Sequence, residues 1–245
     1  MIPLRDSVPS RRVPFITYLL IVTNVLVFIF TKTLSNTQLH LLVFHFGFIP
    51  ARLSSLLLYD SSVVITEALL PMVSSLFIHG SWFHLISNMW SLWLFGDNVE
   101  DNVGHIKYFL FYLLAGIFAS FIHFIFNASS PIPVIGASGA ISAVMGAYVV
   151  MFPFARITTL IPLLWIPFFI KVPAIFFMGI WFFSQITSGI STLIHTDLGG
   201  GIAWWAHIGG FIFGIFIINF IRTKSWRYRC SPYDEHYDCY DDSDR

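Results

Sequence analysis

The chain of 245 residues is 56% hydrophobic and 18% aromatic but only 11% charged, where a soluble domain is about a quarter charged. That leaves too little polar side chain to coat a water-soluble body of this size, so the composition specifies an integral membrane protein and excludes disordered, collagen-like and disulfide-scaffold classes. A net charge of zero leaves no electrostatic footprint for nucleic acid, and the two cysteines, Cys230 and Cys239, lie in the tail and frame no disulfide scaffold.

A bilayer-crossing helix takes about 20 mainly apolar residues. After a short polar start (1–12), the first such segment is 13–30. The chain beyond it reads Thr31-Lys32-Thr33-Leu34, with no small-residue cleavage site, so this is a first transmembrane helix and not a signal peptide. A long loop follows over 31–81. Its apolar patches at 39–48, 53–58 and 68–77 predict a partly membrane-associated substructure. The second segment is 82–95, closed by a short acidic turn at 96–107. The third is 108–126 and the fourth 139–154. The fifth lies within 161–186 and is placed at 173–186, after a loop or interfacial stretch, because Pro153, Pro162, Pro167 and Pro173 disfavour one continuous helix. The sixth is 203–221. The expectation is an all-α polytopic bundle of six helices over 13–222, with a cytoplasmic segment at 1–12 and a cytoplasmic tail at 223–245. No repeat is visible, which argues against inverted-repeat transporters.

Six spans put both termini on one side. That side carries Arg5, Arg11, Arg12, Lys107, Arg156, Lys171, Arg222, Lys224, Arg227, Arg229 and Arg245, against Lys32 and Arg52 on the other. The positive-inside bias makes both termini cytoplasmic. Arg222, Lys224, Arg227 and Arg229 read as a juxtamembrane basic cluster on anionic lipid. Cys230, His236 and Cys239 form a weak candidate metal set in the tail.

Polar side chains at membrane depth are costly and usually functional. His84 and Asn88, four apart at the start of the second segment, share one helical face and offer donors to a developing negative charge; the plainer reading is interhelical packing glue. Ser138, in Gly136-Ala137-Ser138-Gly139-Ala140, follows Pro131 and Pro133 at the external start of the fourth segment. A nucleophile there has unpaired backbone N–H groups beside it, although a plain Ser cap with packing glycines has the same pattern. His207 lies near the external end of the sixth segment, followed by Gly209, Gly210 and Gly214. A His brought beside a Ser is a base beside a nucleophile. Asp197 in the last external loop is the one acid near these residues in sequence, which suggests a Ser–His dyad without a carboxylate. Neither metal nor cofactor is expected, since His-Glu-x-x-His is absent.

These three blocks, His79-Gly80-Ser81-Trp82-Phe83-His84 with Asn88, Gly136 to Ala140, and Ala206-His207-Ile208-Gly209-Gly210, resemble the rhomboid intramembrane serine proteases of the six-helix bacterial type. Phe95-Gly96-Asp97-Asn98-Val99-Glu100-Asp101 resembles the family's end of helix two. The resemblance covers roughly residues 14–222. It implies Ser138 as nucleophile and His207 as general base. It implies His84, Asn88 and Ala137 as oxyanion or substrate-binding positions, and His79 and Gly136 in support. Gly139 and Gly210 would let helices four and six close on the dyad. It further implies transmembrane protein substrates, a surrounding bilayer and a bacterial inner membrane. Two departures stand out. Leu70-Pro71-Met72 replaces a Trp-Arg pair that some members carry, and Ser142 replaces a Tyr that stacks on the catalytic His in some members. The rivals are an inactive rhomboid-like client-binding protein and a proton path through His79, His84, His123 and His207.

Overall fold

The computed structural model describes residues 1–59, 67, 70–163, 166–194, 202–223, 228–230 and 239–241. In chain order the elements are β1 (Ile2–Arg5), α1 (Phe15–Thr33), α2 (Asn36–Phe46), α3 (Pro50–Tyr59), α4 (Leu70–Ser74), α5 (Trp82–Val103), α6 (His105–Asn127), α7 (Ser138–Met151), β2 (Arg156–Leu163), β3 (Ile166–Pro173), α8 (Ala174–Ile194), α9 (Trp204–Ile221), β4 (Tyr228–Cys230) and β5 (Cys239–Asp241). Each of the six apolar segments holds one long helix: α1, α5, α6, α7, α8 and α9. Four of them, α1, α6, α8 and α9, are long and apolar enough to cross a membrane. Large apolar side chains such as Val22, Leu26, Leu114, Phe183, Phe216 and Phe220 stand exposed on their outer faces, as the hydrocarbon of a bilayer requires.

The six long helices alternate in direction. α5, α7 and α9 begin at one end of the bundle, which holds Ser138 and His207; α1, α6 and α8 begin at the other. α7 is central, with every residue from Gly139 to Tyr148 buried. It starts at Ser138 and stops at Met151, short of the expected 154, because Pro153 disfavours helix in the residue before it. α8 runs on to Ile194, past the expected 186. The loop 31–81 carries α2, opened by a Ser35/Gln38 capping box, then α3 and α4. The Leu70-Pro71-Met72 departure lies in α4, where Pro71 and Met72 are buried.

The all-α expectation needs correction. The stretch before α8, read as a loop or interfacial stretch, is an antiparallel hairpin with Arg156 opposite Pro173 and Pro162 opposite Pro167. Its prolines exclude a helix interior, while the Ile, Thr, Leu, Phe and Val around them favour extended backbone. β1 adds to β2 with Ile2 opposite Leu160, so residues 1–12 are tied to the bundle. In the tail, β4 and β5 pair with Cys230 opposite Cys239; His236, Lys224 and Arg227 lie outside the described residues, as does Asp197.

The end of the bundle away from Ser138 is held by carboxylates. Glu100, 1% exposed, accepts the N–H groups of Ile16 and Thr17 at 2.8 Å each and the Thr17 hydroxyl at 2.7 Å. This satisfies orphan donors at the start of α1, where Pro14 offers no side-chain cap, and places negative charge at the positive end of its dipole. Asp6 accepts from the Tyr148 hydroxyl at 2.6 Å and the Asn98 amide at 2.9 Å, tying the N-terminal segment to α7 and α5.

α7 and α9 cross at backbone contact. A Cβ on Gly210 would strike the Gly139 carbonyl, and one on Gly214 would strike that of Ala143. In lipid, where burial between helices gains little, such close packing is what holds helices together. Gly139 also serves α6: a Cβ there would lie 2.7 Å from the Ala119 methyl.

Two outcomes follow from these contacts. Gly210→Leu should force α7 and α9 apart and cost about 3 kcal/mol, read as a fall in the unfolding midpoint in detergent. Burial raises the Asp6 carboxyl from 3.8 to about 6, because it disfavours the charged form. A raised acid favours the fold in acid, and that contribution declines as pH rises from the unfolded value through about 6. Asp6→Asn should therefore stabilise the protein by about 1–2 kcal/mol at neutral pH, allowing for partial solvent access, with the gain vanishing near pH 4; thermal unfolding at both pH values checks it.

Candidate active site

Ser138 is the first residue of α7 and His207 the fourth of α9. His207 Nε2 lies 2.7 Å from Ser138 Oγ. Its Nδ1 lies 2.8 Å from Oε1 of Gln185, on α8. An amide oxygen only accepts, so Nδ1 carries the proton, and the Nε2 lone pair accepts from the Ser138 hydroxyl. Both Ser138 and His207 are half-buried, so the hydroxyl is enclosed but reachable. The 14 residues of α7 rise about 21 Å, against about 30 Å of bilayer hydrocarbon. Near its other end the Tyr148 hydroxyl reaches Asp6, so this one short helix joins the Ser138 end of the bundle to the N-terminal segment.

The facing wall is the start of α5. The Ser81 hydroxyl accepts the N–H of His84 at 3.1 Å and caps the helix. This presents His84 and Asn88, one turn apart, toward Gly136. Gly136 has φ +118°, a backbone that L side chains rarely adopt; a Cβ there would lie 2.5 Å from His84 Nε2 and 3.6 Å from Asn88 Nδ2. Its N–H donates to the Ser75 carbonyl at 2.9 Å, pinning the chain two residues before Ser138. The Asn88 amide donates to His79 Nε2 at 3.0 Å, leaving its second N–H for the site, and the His79 and His84 rings pack edge-to-face at 4.9 Å. Ala137 is fully buried, so its side chain is closed to a substrate.

The structure thus gathers His79, His84, Asn88, Gly136, Ser138 and His207 at one end of the bundle. His123 on α6 also faces His207, but its buried Nδ1 has no hydrogen-bond partner, as is true of the His79 Nδ1. Ser142 turns its hydroxyl back to the Ser138 carbonyl at 2.6 Å and presents no ring to His207. Trp181 on α8 and Trp204 on α9 are the aromatic neighbours of His207, with ring centroids 6.2 Å away at 32° and 6.1 Å away at 87°. Trp181 and Gln185 are the neighbours that sequence reasoning missed. The available signal was a lone Gln at membrane depth within a Phe-rich helix, with no motif around it.

A hydroxyl bonded to an imidazole lone pair, at a helix start flanked by side-chain donors, is equipped for nucleophilic attack and for holding an oxyanion. The rhomboid domain model matches residues 66–224. The chain belongs to the rhomboid family. Among relatives of this rhomboid, the mouse "Presenilin-associated rhomboid-like protein, mitochondrial" is 28% identical over 197 residues, covering 77% of this chain and 48% of the relative. The yeast "Rhomboid protein 1, mitochondrial" is 26% identical, covering 60% and 40%. The Arabidopsis thaliana "RHOMBOID-like protein 12, mitochondrial" is 29% identical, covering 64% and 47%. The chain spans about half the length of the curated relatives it matches, 48% of the mouse protein. These relatives are eukaryotic and carry mitochondrial names, so the expectation of a bacterial inner membrane finds no support among them.

The geometry makes one chemical outcome measurable. A fluorophosphonate probe should label Ser138, and labelling should fall at least about tenfold in His207→Ala, since an unassisted serine hydroxyl is a weak nucleophile; gel fluorescence of the purified protein reads both.

Proposed function

We propose that this rhomboid is an intramembrane serine protease that cleaves transmembrane segments of other membrane proteins through a Ser138–His207 dyad. The observation that carries the reading is the 2.7 Å contact between Ser138 Oγ and His207 Nε2. On this reading His207 takes the Ser138 proton while the alkoxide attacks the scissile carbonyl. His84, the free N–H of Asn88 and the backbone N–H groups at the start of α7 receive the oxyanion. The protonated His207 then returns the proton to the leaving amine, and water, activated by the same imidazole, releases the acyl group. A helical substrate keeps its carbonyls in backbone bonds, so it must unwind at the cut, and segments rich in Gly, Pro or small residues are the fitting class.

The accompanying topology is six spans over 13–222, with α5 and α7 completing the four apolar helices, and both termini on the side that carries the basic residues. The alternating helix directions support it. The family resemblance adds to the site geometry, and the presence of both Ser138 and His207 favours an active enzyme over a client-binding relative.

Reconstituted with a fluorescent transmembrane peptide, the protein should cleave it, and Ser138→Ala should abolish cleavage. His84→Ala and Asn88→Ala should each lower kcat while the unfolding midpoint holds. Removing one oxyanion donor costs about a hundredfold or more in a soluble serine protease; two neighbouring side-chain donors should soften that in the single variants and not in the double. Cleavage that survives Ser138→Ala would sink the proposal.

A further inference from the structure

Gln185 sits on α8, 5% exposed, in the middle of a helix whose outer face is apolar. Burying a carboxamide there is costly unless its groups are paired. Its pairing is complete and directional. Nε2 donates to the Trp181 carbonyl at 3.2 Å and to the Ser184 hydroxyl at 2.9 Å. The Trp181 carbonyl can only accept, so it fixes which end of the amide is nitrogen. Oε1 is thereby left facing His207 Nδ1 at 2.8 Å. The Trp181 ring, one turn earlier on the same helix, neighbours the His207 imidazole with centroids 6.2 Å apart. α8 therefore holds the imidazole at one nitrogen, while Ser138 meets the other.

We infer that Gln185 is the positioning residue of this site, a neutral third member that holds His207 in the tautomer and orientation needed to accept the Ser138 proton. The inference rests on the protease reading of Ser138 and His207. An imidazole free to place its proton on Nε2 would donate to Ser138 and could not act as its base. Soluble serine triads use a carboxylate for this task, and the soluble Cys-His-Asn triads use an amide. At membrane depth an isolated carboxylate is expensive, whereas an amide orients the ring without bringing a charge. Among the described residues, the ionisable groups that face His207 are the imidazoles of His84 on α5 and His123 on α6; Ser138 on α7, Gln185 and Trp181 on α8 and Trp204 on α9 also adjoin it.

The test follows the rate of fluorophosphonate labelling of Ser138 in the full chain, across pH, in wild type, Gln185→Leu, Gln185→Glu and Ser138→Ala. Gln185→Leu keeps the side-chain bulk and removes the acceptor. Its labelling rate should fall by about tenfold to a hundredfold, taking as guide the loss found when the partner orienting a metal-ligating histidine is removed. Gln185→Glu restores an acceptor and adds a charge that stabilises the imidazolium, so activity should return with the acid limb of the pH profile moved up by about one unit or more. A purely packing role would lower both variants alike and leave the limb in place. Wild-type rates in Gln185→Leu, or equal losses in both variants at every pH, would overturn the inference while leaving the dyad standing. Equal labelling of Ser138→Ala and wild type would instead remove the protease reading itself.

Discussion

The backbone contact between α7 and α9 is the constraint on which the rest depends. Gly210 and Gly214 let the second helix settle on the carbonyls of Gly139 and Ala143, and Gly146 receives the Phe211 carbonyl in the same way. No methyl fits at these points. The approach makes a serine at the start of one helix and a histidine in the first turn of the other meet at 2.7 Å, although 69 positions separate them in the chain (207 − 138). Hydrocarbon outside the bundle is as apolar as its interior, so helix contact rests on close van der Waals packing rather than on burial. A site built this way is as well defined as the glycine seam beneath it.

The hydrogen-bonding groups that organise the two ends of the bundle differ in kind. At one end, Glu100 caps α1, Asp6 ties β1 to α7 and α5, and the Asp101 carboxylate accepts the Arg11 N–H at 3.1 Å. The Thr223 N–H donates to the Asn102 carbonyl at 3.1 Å, anchoring the start of the tail there as well. At the other end, the groups around Ser138 are imidazoles and amides: His79, His84, Asn88, His207 and Gln185. The acids there take backbone and side-chain donors and connect segments remote in the chain. At the Ser138 end, neutral hydrogen-bonding groups orient one another without the cost of a buried charge.

α8 occupies an intermediate position. It packs on α9 and α7, yet Phe176, Ile180 and Phe183 remain on its exposed side. The contacts it gives the site, Trp181 and Gln185, are one turn apart on the opposite face. Geometry at His207 is therefore shared between the rigid α7/α9 seam, which sets the Ser138 contact, and a more exposed helix, which sets the tautomer.

Much was legible in the residues. Apolar length located all six long helices, and the glycine-flanked Ser138 and His207 and the His84/Asn88 spacing pointed to one end of the bundle, because apolar length, helical periodicity and small flanking residues are local properties. The end-of-helix segment holding Glu100 was visible as a motif but not as a cap, since its partners on α1 lie 83 and 84 positions away. The hairpin of β2 and β3 was hidden because prolines announce where a helix fails and not what replaces it; β1, from the far end of the chain, completes that sheet. Gln185 had no sequence neighbour to mark it. Composition and spacing by themselves determined a helical membrane protein with a serine and a histidine placed at helix starts. Only tertiary structure decided that their hydrogen bond forms, that an aromatic from α8 neighbours the histidine where Ser142 offers no ring, and that an amide faces its second nitrogen, because those relations are set by which helices cross and at what distance, and backbone contact between remote segments leaves no local trace in the chain.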